Sequence, residues 1–180
     1  MSIAHFDCFA GAAGDMTVAA LVAAGADAEA LAAQLARLDV GGYEVRCEDD
    51  AREGIAATRF FVDVAEAHDH PHRHLGDILG LIERAGLPAR AAERAQRVFR
   101  RLAQAEAKIH NTPLAEVHFH EVGAVDSIVG VVGACLALEL LDVETVTSSP
   151  VPLGNGTIQC AHGRLPAPSP ATAALLRGVP

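Results

Sequence analysis

Seven of the nine histidines in this 180-residue chain lie in two short stretches. The first stretch places a histidine at every second position from His68 to His74, and the second runs from His110 to His120. Imidazole nitrogen beside carboxylate oxygen suits zinc, nickel, copper or iron, and the spacing alone does not select one of them. The sequence therefore predicts transition-metal chemistry.

The strongest candidate metal site lies at the end of the second stretch. In extended backbone His118 and His120 point to the same side, so both imidazoles can bind one ion. Glu121 in the following turn and Asp126 close behind it can add carboxylate ligands. The alternative is that one histidine packs in the core while the other faces solvent, and both interpretations stay open at this point.

The first stretch predicts a polar, histidine-rich loop over residues 66–75. His68, His70, His72 and His74 form a multidentate surface that can collect borderline metal ions. Such a loop suits delivery of an ion better than catalysis. The alternative is a solvated loop that binds no metal, and the composition does not decide between the two.

A glycine turn leads from a predicted strand into a predicted helix. The backbone N–H groups of Gly11 and Gly14 lie where a helix start can bind an anion such as phosphate, so both glycines are candidate substrate contacts. This segment is not a P-loop, because no Lys-Ser or Lys-Thr pair follows. In the alternative interpretation the turn is structural and Asp15 caps the helix. Asp7 and Asp15 together are also candidate ligands of a cation.

A thiol, an imidazole and a guanidinium lie close together near the C-terminal end of the sequence. Cationic neighbours favour the thiolate form of a cysteine, so Cys160 beside His162 and Arg164 is a conceivable nucleophile. The alternative is that Cys160 is buried and inert while His162 caps a turn. Arg164 is a candidate for gripping a phosphate or carboxylate, and we take His162 and Arg164 as substrate contacts.

Hydrophobic spacing predicts an α+β fold of mixed helices and short strands around one core, with a proline-rich extended C-terminal segment. Two of the predicted strands, separated by a polar connection over residues 48–54, should form an antiparallel pair. The predicted strands are Ile3–Phe9, Tyr43–Cys47, Ala57–Val64, Thr145–Ser149 and Thr157–Ala161. The predicted helices are Met16–Ala24, one capped by Asp27, one from Leu75 that Gly86 ends, Pro88–Ile109, Ile128–Leu141 and Ala171–Leu176.

Two of these helices bear on the candidate site. The stretch Ile128–Leu141 carries a single charge and is predicted to be a central buried helix, with Asp126 and Ser127 as its cap. The stretch Pro88–Ile109 is predicted to pack on one face only, with four arginines on the other. Its predicted apolar stripe is Ala91, Ala95, Val98, Leu102, Ala105 and Ile109, and the arginines are Arg90, Arg94, Arg97 and Arg101.

Composition excludes several classes of function. A net charge of −9 with 14 lysines and arginines leaves no broad basic surface, so nucleic acid is not an expected partner. The apolar run Ile128–Leu141 falls short of the roughly 18 residues of a membrane span, and the start of the chain has no basic signal-peptide region. Four widely spaced cysteines without a CxxC pair indicate reduced thiols. We expect a cytoplasmic protein without a membrane partner.

Three separated motifs, in this order, resemble those of the LarC family of nickel insertion proteins. They are His5–Met16, His118–Ile128 and Ala161–Ala171, and the histidine-rich segment between the first two is also typical of that family. The resemblance implies an N-terminal nickel-insertion domain over residues 1–180. It further implies a lyase-type metal insertase that inserts Ni²⁺ into pyridinium-3,5-bisthiocarboxylic acid mononucleotide and consumes CTP. The product is the nickel-pincer nucleotide cofactor of lactate racemase.

The resemblance also implies partners and a missing part. The CTP-handling portion, with its Mg²⁺ or Mn²⁺ ion, is expected beyond residue 180 as a C-terminal domain or subunit, so this chain alone is expected to be incomplete. Proteins of the lactate racemase pathway are expected partners, and a homo-oligomer is left open. One departure stands out: the family usually carries a second aspartate one helical turn after Asp126, where this chain has Gly130.

Two other functions stay open from the residues alone. The first is a nickel storage or delivery module without catalysis, which would bind several weak ions through the histidine-rich loop. The second is a metal-dependent hydrolase in which His118 and His120 hold an ion that activates water. Such hydrolases commonly need further ligands on later strands of a larger barrel, and the short chain counts against this alternative.

Overall fold

The computed structural model describes residues 2–65, 73–119, 122–160 and 162–179. Within these ranges helices and short paired strands surround one hydrophobic core, which confirms the predicted α+β fold. The strands are β1 (Ile3–Phe6), β2 (Tyr43–Arg52), β3 (Ile55–Val64), β4 (Arg73–His74), β5 (His118–Phe119), β6 (Thr145–Ser148), β7 (Thr157–Cys160) and β8 (Gly163–Pro166). The helices are α1 (Gly14–Ala23), α2 (Ala28–Leu35), α3 (Leu75–Arg84), α4 (Ala89–His110), α5 (Val125–Leu140) and α6 (Pro170–Leu175), with one 3-10 turn at Leu114–Glu116.

Helix α5 lies at the centre of the core, as its apolar sequence predicts. Its side chains at Ile128, Val129, Val132, Leu136 and Ala137 are fully buried. Helices α1, α2 and α4 and strand β3 all pack against it. Because α5 is surrounded on most of its circumference, a residue in its first turn is held in a defined position relative to these neighbours.

The predicted cap of α5 is wrong. The helix starts at Val125 with Ala124 as its N-cap, so Asp126 and Ser127 lie inside the first turn. Asp126 Oδ1 accepts a hydrogen bond from the Ser127 backbone N–H at 2.8 Å. The buried Val125 side chain is part of the first turn, so the helix starts three residues before the predicted start at Ile128, and the Asp126 carboxylate is left exposed.

Helix α1 meets α5 through two glycines. A Cβ atom added at Gly14 would lie 3.5 Å from the Cα of Gly130, so the two backbones are in direct contact. The preceding turn closes with a hydrogen bond from the Gly11 N–H to the Cys8 carbonyl at 2.9 Å, and Gly11 adopts φ of 88°. Ala13 is the N-cap of α1 and provides no side-chain cap, so the alternative in which Asp15 caps this helix is wrong.

Strands β2 and β3 form the predicted antiparallel pair and extend it. They pair from Tyr43 with Val64 to Arg52 with Ile55. The connection is only Glu53 and Gly54, both with positive φ, which matches a two-residue type I′ turn rather than the longer polar loop that the composition predicts. Strand β3 packs against α1 and α5, and Phe60 is its buried contact with the core.

The remaining strands form small separate sheets. Strand β1 pairs in parallel with β6, from Ile3 with Thr145 to Phe6 with Ser148. Strands β7 and β8 form an antiparallel hairpin near the proline-rich segment. Asp27 caps α2 as predicted, because its Oδ1 accepts hydrogen bonds from the N–H groups of Glu29 and Ala30. No helix within the described ranges has the length and apolar character that a membrane crossing requires.

The buried face of α4 differs from the predicted stripe. Phe99 is fully buried, whereas the predicted stripe residue Val98 is 40% exposed and Ile109 is 38% exposed. The opposite face also packs, because Arg90 forms ion pairs with Glu139 and Asp142 at the end of α5. The prediction that α4 packs on one face, with Val98 and Ile109 in its apolar stripe, is therefore wrong, because α4 contacts α5, α3 and α6.

We expect Phe99→Ala to lower the free energy of unfolding by about 3–5 kcal/mol, because it removes a fully buried aromatic ring. The neighbouring substitution Val98→Ala is the matched control and should change that free energy by no more than about 0.5 kcal/mol. Urea denaturation of both variants measures the difference. Equal effects would contradict the buried face described for α4.

Candidate functional site

The two histidine-rich stretches meet at a short antiparallel ladder. Strand β4 ends the first stretch and strand β5 lies within the second, and His74 pairs directly with His118. The centroids of their imidazole rings are 4.0 Å apart at an interplanar angle of 46°. We call these two residues the His74–His118 pair. From the sequence, the histidine-rich loop and the motif of His118 and His120 (HxH) were predicted as separate sites. The structure places His74 of the loop beside His118 of the motif.

Four contacts position this pair. Arg73 donates to the Gly123 carbonyl at 2.6 Å and to the Val40 carbonyl at 2.8 Å, which ties β4 to the turn before α5. The His74 backbone N–H donates to Asp77 Oδ2 in the first turn of α3 at 2.8 Å. On the opposite side of β5, buried Phe119 packs edge-on against Phe99 with centroids 6.4 Å apart. His118 is consequently directed outward.

The geometry of the pair suits a shared ion. A metal lies about 2 Å from each ligating nitrogen and hence about 3 Å from each ring centroid, so centroids 4.0 Å apart subtend roughly 80° at the ion. That angle is close to the one between adjacent ligands in square-planar or octahedral coordination. His74 Nδ1 is buried at the start of α3.

Several predicted ligands lie outside the described residues. They are His68, His70, His72, His120 and Glu121. Within the described ranges, no group of three or more histidine, cysteine, aspartate or glutamate side chains is arranged to hold a metal ion. The roles assigned to these five residues stay predictions.

Asp126 and Asp15 lie on one cavity of about 450 Å³ at the starts of α5 and α1, which we call the helix-start cavity. Its lining residues are Gly14, Asp15, Phe60, Phe61, Val62, Val122, Asp126, Ser127, Gly130 and Val131. The N–H groups of two helix starts favour an anion, while the two carboxylates favour a cation. Together they suit a phosphate or carboxylate ligand bridged by a divalent ion. Asp7 lies in the loop after β1 and does not line this cavity.

A groove of about 680 Å³ between α1 and the β2–β3 hairpin continues from this cavity, and both share Asp15, Phe60 and Phe61. Its walls include Arg52 and Arg59. The Arg59 guanidinium lies 4.4 Å from the centroid of the Phe61 ring. Sequence reasoning missed these two arginines, because single arginines on a polar strand have no motif, and only the hairpin register places them beside α1.

The predicted substrate contacts lie apart from each other. Gly14 lines the helix-start cavity, whereas His162 lies in the β7–β8 turn with its ring centroid 4.9 Å from that of His110. Arg164 donates to Thr157 Oγ1 at 2.9 Å within the same hairpin. Cys160 is half-buried, and its thiol lies 3.3 Å from the Gly163 carbonyl. The structure thus brings His162 to His110 rather than to the glycine turn.

Comparison with known proteins supports the metal interpretation. The family model described as nickel insertion protein matches residues 4–180. The chain belongs to the nickel insertion protein family. No solved structure matches it.

Relatives named as nickel insertion proteins cover the whole chain. One from Geobacter sp. (strain M21) is 53% identical over 180 residues, and one from Citrifermentans bemidjiense is 54% identical over 180 residues. A relative from Geobacillus kaustophilus, 45% identical over 188 residues, is named pyridinium-3,5-bisthiocarboxylic acid mononucleotide nickel insertion protein. Each alignment spans 100% of this chain but 46% of the relative. The chain therefore spans about half the length of the curated relatives it matches.

In this member of the nickel insertion protein family, Gly130, where the resemblance leads us to expect an aspartate, has room for a Cβ atom. A Cβ atom at Gly130 would lie 3.6 Å from the Cα of Gly14, which is ordinary van der Waals contact. At Gly123, in contrast, a Cβ would lie 2.7 Å from the Phe119 carbonyl oxygen. The turn before α5 thus requires glycine at 123, whereas the helix accepts another residue at 130.

We expect Gly130→Ala to leave the free energy of unfolding unchanged or to raise it by up to about 1 kcal/mol, because alanine favours a helix interior. Gly123→Ala should lower it by about 1–3 kcal/mol, because the added methyl group displaces β5. Chemical denaturation of the two variants gives both values. A neutral Gly123→Ala would show that the turn tolerates a side chain and would contradict its tight packing on Phe119.

The four cysteines differ in their availability as metal ligands. Cys135 in α5 is buried, and burial raises the pKa of its thiol to about 11, against smaller opposing effects of Arg94 and Arg97. At neutral pH this thiol stays protonated, so Cys135 is not a thiolate ligand. All four cysteines are free of disulfides, as the sequence predicts.

The raised pKa of Cys135 predicts a loss of stability at alkaline pH. As the pH rises from about 9 to about 11, the unfolded chain loses the thiol proton while the folded chain keeps it, which lowers the free energy of unfolding by about 2–3 kcal/mol. Cys135→Ala should remove this part of the decrease in the free energy of unfolding with pH. The variant is expected to be less stable than the wild type at neutral pH. Urea titrations at several pH values measure the slope, with Cys160→Ala as the control. An unchanged slope in Cys135→Ala would contradict the assignment.

Proposed function

We propose that this chain is the nickel-binding portion of an enzyme that inserts Ni²⁺ into pyridinium-3,5-bisthiocarboxylic acid mononucleotide. The observation that carries the proposal is the His74–His118 pair, which joins the end of the histidine-rich loop to the HxH motif. Membership of the nickel insertion family supports nickel as the ion. The name of the relative from Geobacillus kaustophilus supports the pyridinium mononucleotide as the acceptor.

An open metal site fits an ion that is a substrate rather than a resident cofactor. Closed sites with four protein ligands hold structural ions, whereas sites with open positions exchange ligands. In our proposal the loop histidines collect Ni²⁺ and the His74–His118 pair holds it, with His120, Glu121 and Asp126 as further predicted ligands. Sulfur of the thiocarboxylate groups then replaces imidazole nitrogen, since sulfur ligands are softer and nickel is a borderline ion.

We place the mononucleotide along the helix-start cavity and the adjoining groove. The N–H groups at Gly14 and the guanidinium groups of Arg52 and Arg59 can contact a phosphate, and Asp50, which lies 3.7 Å from Arg59 in the same groove, offsets part of their positive charge. Asp15 and Asp126 would bind the pyridinium charge or a bridging cation. This assignment moves the phosphate contact from Arg164, which is directed along its own hairpin, to the two arginines of β2 and β3.

The proposal assigns the CTP-dependent step, with its Mg²⁺ or Mn²⁺ ion, to the part of the relatives' length that this chain does not span. In this scheme the complete protein is a lyase-type nickel insertase of the cytoplasm, residues 1–180 are its N-terminal domain, and its product is the nickel-pincer nucleotide of lactate racemase. The rival function is a nickel storage or delivery module. The open coordination at the His74–His118 pair is compatible with it, so the two functions must be separated by the binding behaviour of the variants.

We expect His74→Ala and His118→Ala each to weaken Ni²⁺ binding by at least about tenfold, which corresponds to about 1.4 kcal/mol. Because both imidazoles share one ion, the double variant should lose little more than either single variant. Calorimetric titration of Ni²⁺ into the purified chain measures these affinities. His5→Ala is the matched control, because the His5 imidazole forms a hydrogen bond with the Thr147 hydroxyl in the β1–β6 sheet.

Loss of a different class of bound ion in each single variant would show that the two histidines bind separate ions. Weak sites that disappear only when residues 68–72 are deleted, without any effect of His74→Ala or His118→Ala, would favour the storage or delivery module and would overturn the proposed nickel centre.

A further inference from the structure

Phe61 lies where the helix-start cavity meets the groove beside α1. Of the two phenylalanines that line both spaces, Phe60 is 5% exposed and belongs to the core, whereas Phe61 is half-buried. Successive side chains of a strand point to opposite faces, so burial of Phe60 turns the next ring of β3 away from the core. An aromatic ring at the junction of two open spaces offers a flat surface to a planar ligand.

The Phe61 ring already attracts positive charge. The guanidinium carbon of Arg46 lies 4.0 Å from the ring centroid, and that of Arg59 lies 4.4 Å from it. Arg46 is the direct partner of Phe61 across the β2–β3 ladder, and Arg59 is two residues before Phe61 on the same face of β3. The face of an aromatic ring carries partial negative charge and attracts cations, more strongly where water is excluded. This ring is therefore a surface that binds cations.

The two arginines differ in how firmly they are held. Arg46 forms ion pairs with Glu48 and Asp63, and its Nε donates to Asp63 Oδ2 at 2.6 Å. The Arg59 side chain is 58% exposed, and its Nε lies 3.7 Å from Asp50 Oδ2, which is longer than a hydrogen bond. Exposed ion pairs of this kind contribute little to stability. Arg59 can therefore leave the ring when a ligand enters, whereas Arg46 stays in place.

The charges around Phe61 match a ligand with a positive ring and a negative phosphate. Asp15 lines both spaces and Asp126 lines the helix-start cavity, so carboxylates lie near the ring. Arg52 and Arg59 line the groove and can contact an anionic group. A pyridinium nucleotide has this distribution of charge, because its ring is a planar cation and its phosphate is an anion. A neutral ring of the same shape would gain less from the aromatic face and from the carboxylates.

We propose that the pyridinium ring of the mononucleotide stacks on Phe61, and that Arg59 moves from this ring to the phosphate when the ligand binds. This role rests on the proposed function, in which a pyridinium mononucleotide is the acceptor, and it names the residue that recognises the ring. The positive charge of the ring, rather than its shape, then determines which nucleotide binds. Arg46 holds the Phe61 ring in position from β2.

Binding of two nucleotides that differ in ring charge tests this role. Nicotinamide mononucleotide has a pyridinium ring, and its reduced form has a neutral dihydropyridine ring on the same ribose phosphate. We expect calorimetric titration into the full chain to show roughly 3- to 30-fold tighter binding of the pyridinium form, the range for a cation on an aromatic face. Phe61→Leu should remove this preference and Phe61→Tyr should retain it, whereas Arg59→Gln should weaken binding of both forms. Ile55→Ala, at a position that is 74% exposed at the start of β3 and lines neither space, is the matched control.

Equal binding of the two forms by the wild type, no binding of either form, or a preference that persists in Phe61→Leu would overturn the proposal. A preference that is lost in Asp15→Asn but kept in Phe61→Leu would assign recognition of the ring charge to the carboxylate instead. Circular dichroism reports whether the variants are folded, and Phe61→Met replaces Phe61→Leu if that one unfolds.

Titration of Ni²⁺ separates this role from the proposed nickel centre. Phe61→Leu should bind Ni²⁺ with the affinity of the wild type, because Phe61 is not among the proposed ligands. If His74→Ala and His118→Ala leave Ni²⁺ binding unchanged, the nickel centre fails, whereas a preference for the pyridinium form that depends on Phe61 still supports the stacking role. If that preference is absent while the two histidine variants lose Ni²⁺, the stacking role fails and the nickel centre stands.

Discussion

The burial of α5 is the constraint on which the rest of the structure depends. An almost uncharged helix must be covered on most of its surface, and α1, α2, α4 and β3 supply that cover. The contact between Gly14 and Gly130 lets α1 approach α5 at backbone distance, so two helix starts open onto one cavity. The positions of Asp15 and Asp126 therefore follow from packing in the core rather than from any direct attraction between these two carboxylates.

The short strand β5 links this core to the histidines. Phe119 is buried against Phe99 of α4, and Gly123 brings the following turn onto the Phe119 carbonyl. With its neighbour fixed inward, His118 faces outward to His74, while Val122 lines the helix-start cavity. Both candidate regions thus adjoin one segment of a few residues, and a change in its packing would alter each of them.

The proposed site at the His74–His118 pair has a property that suits a transported ion. It presents two imidazoles from different elements, and within the described part of the chain no group of three or more histidine, cysteine, aspartate or glutamate side chains is arranged around it. Few protein ligands mean faster exchange, which an ion destined for another molecule requires, whereas a closed site would retain it. The Asp77 carboxylate holds the backbone of His74 without enclosing an ion.

The sequence by itself determined the local structure and the kind of chemistry. Helical and alternating periodicity located the helices and the β2–β3 pair, the Asp27 cap and the buried α5, because these depend on neighbouring residues. Residue types alone indicated a borderline metal, and the motifs indicated the nickel insertion family. Only the tertiary structure decided which groups meet. His74 with His118 and His110 with His162 are each more than 40 residues apart, and no local pattern encodes such contacts, because they arise from how the helices pack around α5.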